Sequence, residues 1–106
     1  MLTKFTIASV AAGLLTVGSV FAADMPDLAK KSGCVACHKI DKKVVGPAWQ
    51  DVADKYNGDA EAPAKLSAKI ASGGKGVWGA VPMPPNPKLS DAERSELVTF
   101  ILGLAK

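Results

Sequence analysis

The sequence predicts a small all-α domain of four to five short helices. Apolar residues recur at helical spacing, as Leu66 and Ile70 do, and again Leu97, Phe100, Ile101 and Leu104. Helix start and stop signals bracket these stretches. No stretch alternates apolar and polar residues as a half-buried strand would.

Taken in chain order, "DMPDLAKKSG" predicts a short first helix, with Asp24 as its N-cap, Pro26 in its first turn and Gly33 at its end. Pro47 to Tyr56 reads as another short helix with Val52 and Tyr56 on one face. "DAEAPAKLSAKIASGG" starts with Asp59, carries Pro63 early and sets Leu66 above Ile70. "LSDAERSELVTFILGLAK" is the strongest helix, because Ser90 and Glu93 stand at capping-box spacing ahead of the apolar stripe. There are no internal repeats and no second domain.

The first residues read differently. "MLTK" carries one positive charge, residues 5 to 21 carry none, and small residues stand at Val20 and Ala22. This is the layout of a secretory signal peptide cut after Ala22. A membrane anchor is the alternative, but the run is short for a span and is diluted by Gly13, Gly18, Ser9 and Ser19. The expected organisation is a signal peptide over 1–22 and one domain over 23–106. No cysteine lies near the cut to carry a lipid. The formal net charge of +3 falls by one with Lys4, too little to indicate a nucleic-acid partner.

So short a chain usually needs a staple. The two cysteines, Cys34 and Cys37, would close only a tiny loop as a disulfide. They sit instead in "CVACH", where His38 follows the second cysteine. Cys-x-x-Cys-His in an exported chain reads as covalent haem c attachment. Two thiols a helical turn apart can add to the two vinyl groups of one haem, and the next residue then brings its imidazole under the iron. A thioredoxin-like pair would need a βαβ setting. A zinc site would need more ligands than one histidine and two cysteines provide.

His38 fills one axial position. Met25 is too near the attachment site and Met1 is in the signal peptide, which leaves Met83, within "GVWGAVPMPPNPKL". Methionine is a flexible side chain, and the flanking Pro82, Pro84, Pro85 and Pro87 stiffen the backbone that must hold it. A thioether ligand raises the reduction potential. Ordinary core packing is the alternative role for Met83.

"GCVACHKID", "VVGPAW" and "GVWGAVPMPPN" together resemble the small class I monohaem cytochromes c of bacterial respiratory chains. They are similar, more narrowly, to the short periplasmic type that feeds electrons to nitrite reductases and terminal oxidases. The resemblance covers residues 24 to 106, with two departures: a slightly longer "NPKLSD" segment and Trp49 where tyrosine is common. It implies a class I cytochrome c fold, with short helices wrapped around one covalently bound haem and the first and last helices packed together. It also implies that the carbonyl of Pro47 accepts the second ring N–H of His38, where a plain turn is the alternative. It gives the indole N–H of Trp78 to a haem propionate, where a core tryptophan is the alternative. Lys69 stands where similar proteins carry a basic residue near a propionate, but is read here as a solvated lysine. Asn86 is expected to hydrogen-bond near the Met83 sulfur.

The function expected is that of a periplasmic one-electron carrier, a monomer, and not an enzyme. A haem peroxidase or small-gas sensor with a displaceable Met83 is the alternative. Both need an open iron position, which Met83 closes, and the only histidine and only arginine, His38 and Arg94, leave no distal pair for peroxide chemistry. The expected partners are redox proteins: a respiratory complex as donor, a reductase or oxidase as acceptor. Lys39, Lys42, Lys43, Lys75 and Lys88 are expected to rim the haem edge around Val77, Ala80 and Val81. Ordinary solvated charges are the alternative for these lysines.

Overall fold

A computed structural model describes Gly13 and residues 24 to 106. The expected signal peptide, apart from Gly13, lies outside the described residues. Among the described residues, four α-helices and one short 3-10 turn make up the regular structure: α1 (Asp27–Lys31), the turn Cys34–Ala36, α2 (Trp49–Lys55), α3 (Ala62–Ser72) and α4 (Asp91–Leu102). The described residues contain no sheet, only isolated antiparallel bridges pairing His38 with Lys43 and Gly74 with Met83.

Helix α1 begins later than expected. Pro26, at φ −65° and ψ 152°, is the N-cap, and Asp24 lies outside the helix. The residue before a proline is steered out of the helical region, so the helix cannot run back through Met25. Asp27 in the first turn and Lys30 and Lys31 in the last complement the helix dipole. Gly33, at φ 77°, takes the left-handed position that ends α1, as expected.

Helix α2 is shorter than the Pro47–Tyr56 span. Ala48 is its N-cap in extended geometry. Its first two amides, of Trp49 and Gln50, donate to the carbonyls of Lys39 and Ile40, each at 2.9 Å. The orphan donors of the helix start thus tie α2 to the chain just after His38. Pro47, left outside the helix, keeps its carbonyl free of the intrahelical ladder.

Helix α3 is introduced by Asp59, whose carboxylate accepts from the Glu61 amide at 2.9 Å and from Lys65 Nζ at 3.0 Å. Those two hydrogen bonds hold the Asp59 carboxyl below its ordinary range. Helix α4 has the expected capping box: Ser90 Oγ accepts from the Glu93 amide at 3.2 Å, and Glu93 Oε1 accepts from the Ser90 amide at 3.0 Å.

The core gathers Ala29, Trp49, Val52, Leu66, Ile70, Leu89, Leu97, Val98 and Ile101. Helix α4 packs on α1, α2 and α3 at once, which confirms the expected pairing of first and last helices. Contact with three neighbours widens its buried arc beyond a single stripe. Val98 therefore joins Leu97 and Ile101 inside, while Phe100 is half-buried, edge-on to Trp49, and Leu104 lies past the helix end. Arg94 locks α4 to its surroundings, with Nη1 donating to the Leu89 carbonyl at 2.7 Å and Nε to Ser67 Oγ on α3 at 3.3 Å.

Candidate haem site

One wall of the site is the Cys34–His38 segment. The His38 amide donates to the Cys34 carbonyl at 2.8 Å, and the Gly46 amide donates to the Cys37 carbonyl at 2.8 Å. The segment is thus wound into a helical turn and closed from behind. The two thiols are free and partly buried, and burial pushes the Cys34 thiol above its ordinary value, with the nearby Cys37 adding to the effect.

The His38 ring is held on two sides. Nδ1 lies 2.8 Å from the Pro47 carbonyl, the expected pairing. Because a carbonyl only accepts, this bond assigns the proton to Nδ1 and leaves the Nε2 lone pair free to serve a ligand role. The ring also lies against the backbone of Gly46, where an added Cβ would stand 2.6 Å from Cε1 and 3.0 Å from Nδ1. Gly46 has no positive φ, so it is needed for space and not for backbone conformation. Gly46→Ala is expected to displace the ring from Pro47 and to cost about 1–3 kcal/mol by overpacking. A denaturant midpoint and Soret spectrum identical to those of the parent protein would show that the ring has room.

The opposite wall is the methionine loop. Met83 is tied to Gly74 by paired backbone hydrogen bonds, Met83 N–H to Gly74 O at 2.8 Å and Gly74 N–H to Met83 O at 3.0 Å. The Asn86 amide donates to the Ile70 carbonyl at 2.9 Å. Gly73 makes this approach possible: it sits at φ 69°, and a Cβ there would collide with the Met83 carbonyl oxygen and stand 2.8 Å from Pro85 N. The prolines are therefore only part of what positions Met83. The loop is also clamped to the end of α3.

Between the walls lies a cleft enclosing about 1030 Å³, open mouth included. Cys34, Cys37, His38, Pro47 and Met83 all line it, and so does Trp78. Its floor is the core itself, with Val52, Leu66, Ile70, Leu97 and Ile101 facing inward. Among the described residues no aspartate or glutamate lines it, and its lysines are Lys69 and Lys75. Lys69 is thus at the cleft, with its ammonium against Gly74, and not simply in solvent. Trp78 is 43% exposed, which excludes a core tryptophan.

Asn86 departs from expectation. Its side-chain Nδ2 donates to the Ser32 carbonyl at 3.1 Å, and Asn86 is not among the residues lining the cleft. The backbone bond to Ile70 turns this residue toward the end of α1, so it staples the methionine loop to the segment preceding Cys34. Sequence reasoning also passed over Gly46, Gly73 and Gly74. The "VVGPAW" and "SGG" strings signal a turn and a helix end there, but not the close approaches they permit.

The donor set and the cleft shape fit a haem. Two thiols, an imidazole and a thioether line one cleft with an apolar floor. Such a site on an all-α scaffold defines a haem c protein. The cytochrome c family profile matches residues 22–105. Cytochrome c-551 of Allochromatium vinosum is 52% identical over 90 residues, covering 85% of this chain and 95% of that protein. Cytochrome c-551 of Pseudomonas aeruginosa is 48% identical over 93 residues, covering 88% of each. The crystal structure of Nitrosomonas europaea cytochrome c552 superposes with a TM-score of 0.71 at 51% identity, covering 74% of this chain and 96% of that one. The chain belongs to the cytochrome c family. Its cofactor is haem c, held covalently through Cys34 and Cys37, and it is an electron carrier and not an enzyme.

Proposed function

We propose that this protein is an exported, monomeric one-electron carrier with His38 and Met83 as its axial ligands, working in the periplasm between a respiratory donor complex and a terminal reductase or oxidase. The observation that carries this reading is that two candidate ligands line one apolar cleft, each braced from behind. His38 is held by Pro47 and Gly46, and Met83 by Gly74. Bound haem supplies the ferric/ferrous couple. The chain supplies ligands that stay put when the charge at the iron changes, so little reorganisation accompanies transfer. A donor at each position also leaves no open coordination site, which disfavours the peroxidase and gas-sensor alternative. Trp78 and Lys69 both line the cleft, which supports assigning them to the propionates.

Among the described residues no helix is long and apolar enough to cross a membrane. With the signal layout of residues 1–22, this supports release into the periplasm after cleavage. The test is an absorption spectrum of the purified protein in both oxidation states. Reversible conversion between a low-spin ferric form with a near-infrared sulfur-to-iron band and a ferrous form with sharp α and β bands is expected, from a chain whose mass starts at Ala23. A high-spin ferric spectrum would reject the His/Met pair.

The docking face follows from what surrounds the cleft mouth. Val44, Val45, Val77, Trp78 and Val81 are exposed, at 43–63%. A groove lined by Lys43–Pro47 and Trp78–Val81 runs between them without any acidic residue. An apolar patch of this kind marks an interaction site, and the lysines beside it favour an acidic-rimmed redox partner. Transfer to such a partner is expected to slow steeply as salt rises to physiological strength, and less steeply in a Lys42→Ala, Lys43→Ala variant. A flat salt profile would leave apolar contact as the whole of recognition.

A further inference from the structure

The segment carrying Trp78 is the least supported part of the cleft. Gly76 and Gly79 adopt φ 105° and 122°, and the Gly76 amide donates to the Gly79 carbonyl at 2.8 Å, closing a tight turn with Val77 and Trp78 at its tip. Every residue from Lys75 to Pro82 is exposed. A turn so rich in left-handed glycines has little of its own to fix where the indole points. Helix α2 ends at Lys55, whose Nζ lies 5.6 Å from the centroid of the Trp78 ring. That is within cation–π range. Among the described residues Lys55 makes no ion pair within 4.0 Å, and its ammonium lies over this indole. The next residue, Tyr56, lines the cleft beside it.

We infer that Lys55 is a positioning residue for Trp78: its ammonium, presented by the rigid end of α2, holds the indole across the open edge of the haem cleft. The inference rests on the haem reading and deepens it. Two consequences follow from one contact. The turn is steadied, because opening it breaks the cation–π contact. A positive charge is kept at the cleft edge, where it disfavours the ferric form and raises the reduction potential.

The experiment compares the holoprotein with its Lys55→Met and Lys55→Arg variants. Lys55→Met keeps the length of the side chain without its charge. The loss of an exposed cation–π contact predicts Gly76 amide exchange about two- to five-fold faster in Lys55→Met, together with a lower reduction potential. Lys55→Arg should restore both. Unchanged exchange overturns the inference, whether or not the potential falls, since a fall alone means that Lys55 acts only as a distant charge. Faster exchange that arginine fails to restore also overturns it. A normal Soret band in all three proteins shows that the haem site is intact, so failure of this inference is separable from failure of the haem reading.

Discussion

Met83→Ala is expected to convert a closed carrier into a protein that binds carbon monoxide when ferrous and cyanide when ferric. Met83 lines the same cleft as His38, and the chain holds no second histidine to replace it. Its backbone is fixed by the paired hydrogen bonds to Gly74, not by its side chain. Truncation therefore removes the thioether and leaves the loop in place. The ferric near-infrared sulfur-to-iron band should vanish, and the potential should fall because thioether ligation favours ferrous iron. Met83→His should keep the site closed to carbon monoxide while still lowering the potential. If the near-infrared band survives in Met83→Ala, Met83 is not the ligand.

Removing both attachment thiols, Cys34→Ala with Cys37→Ala, is expected to abolish most of the helical circular dichroism. Trp49, Val52, Leu66, Ile70, Leu97 and Ile101 belong to the core and also line the cleft. Without haem, those side chains pack on one side only. Each apolar side chain left facing water or a void forgoes part of the ~1.5–3 kcal/mol that full burial provides. A chain of this length has no second core to draw on. Full native helicity in the haem-free double variant would show that the helices stand by themselves.

Most of the candidate site was legible in the sequence because its chemistry is local. Cys34, Cys37 and His38 lie within one helical turn, so their convergence is set by covalent spacing. Met83 was reached by elimination, because the chain offers few other ligands. The capping box of α4 was likewise visible, since Ser90 and Glu93 satisfy each other within one turn. The boundaries of α1 and α2 were less so. Proline moved the first N-cap from Asp24 to Pro26, and carbonyls ten residues upstream took the first amides of α2.

What the sequence by itself determined is the covalent attachment of one haem and an all-α scaffold, and it named the candidate ligands His38 and Met83. Only the tertiary structure decided what braces these parts. It set the His38 ring against Gly46, clamped Met83 to Gly74, sent the Asn86 side chain to Ser32 and brought Lys55 over Trp78. The physical reason is range. A motif is written in bonds and helical turns, whereas a contact such as that between Asn86 and Ser32 joins residues 54 positions apart and exists only once the helices have packed.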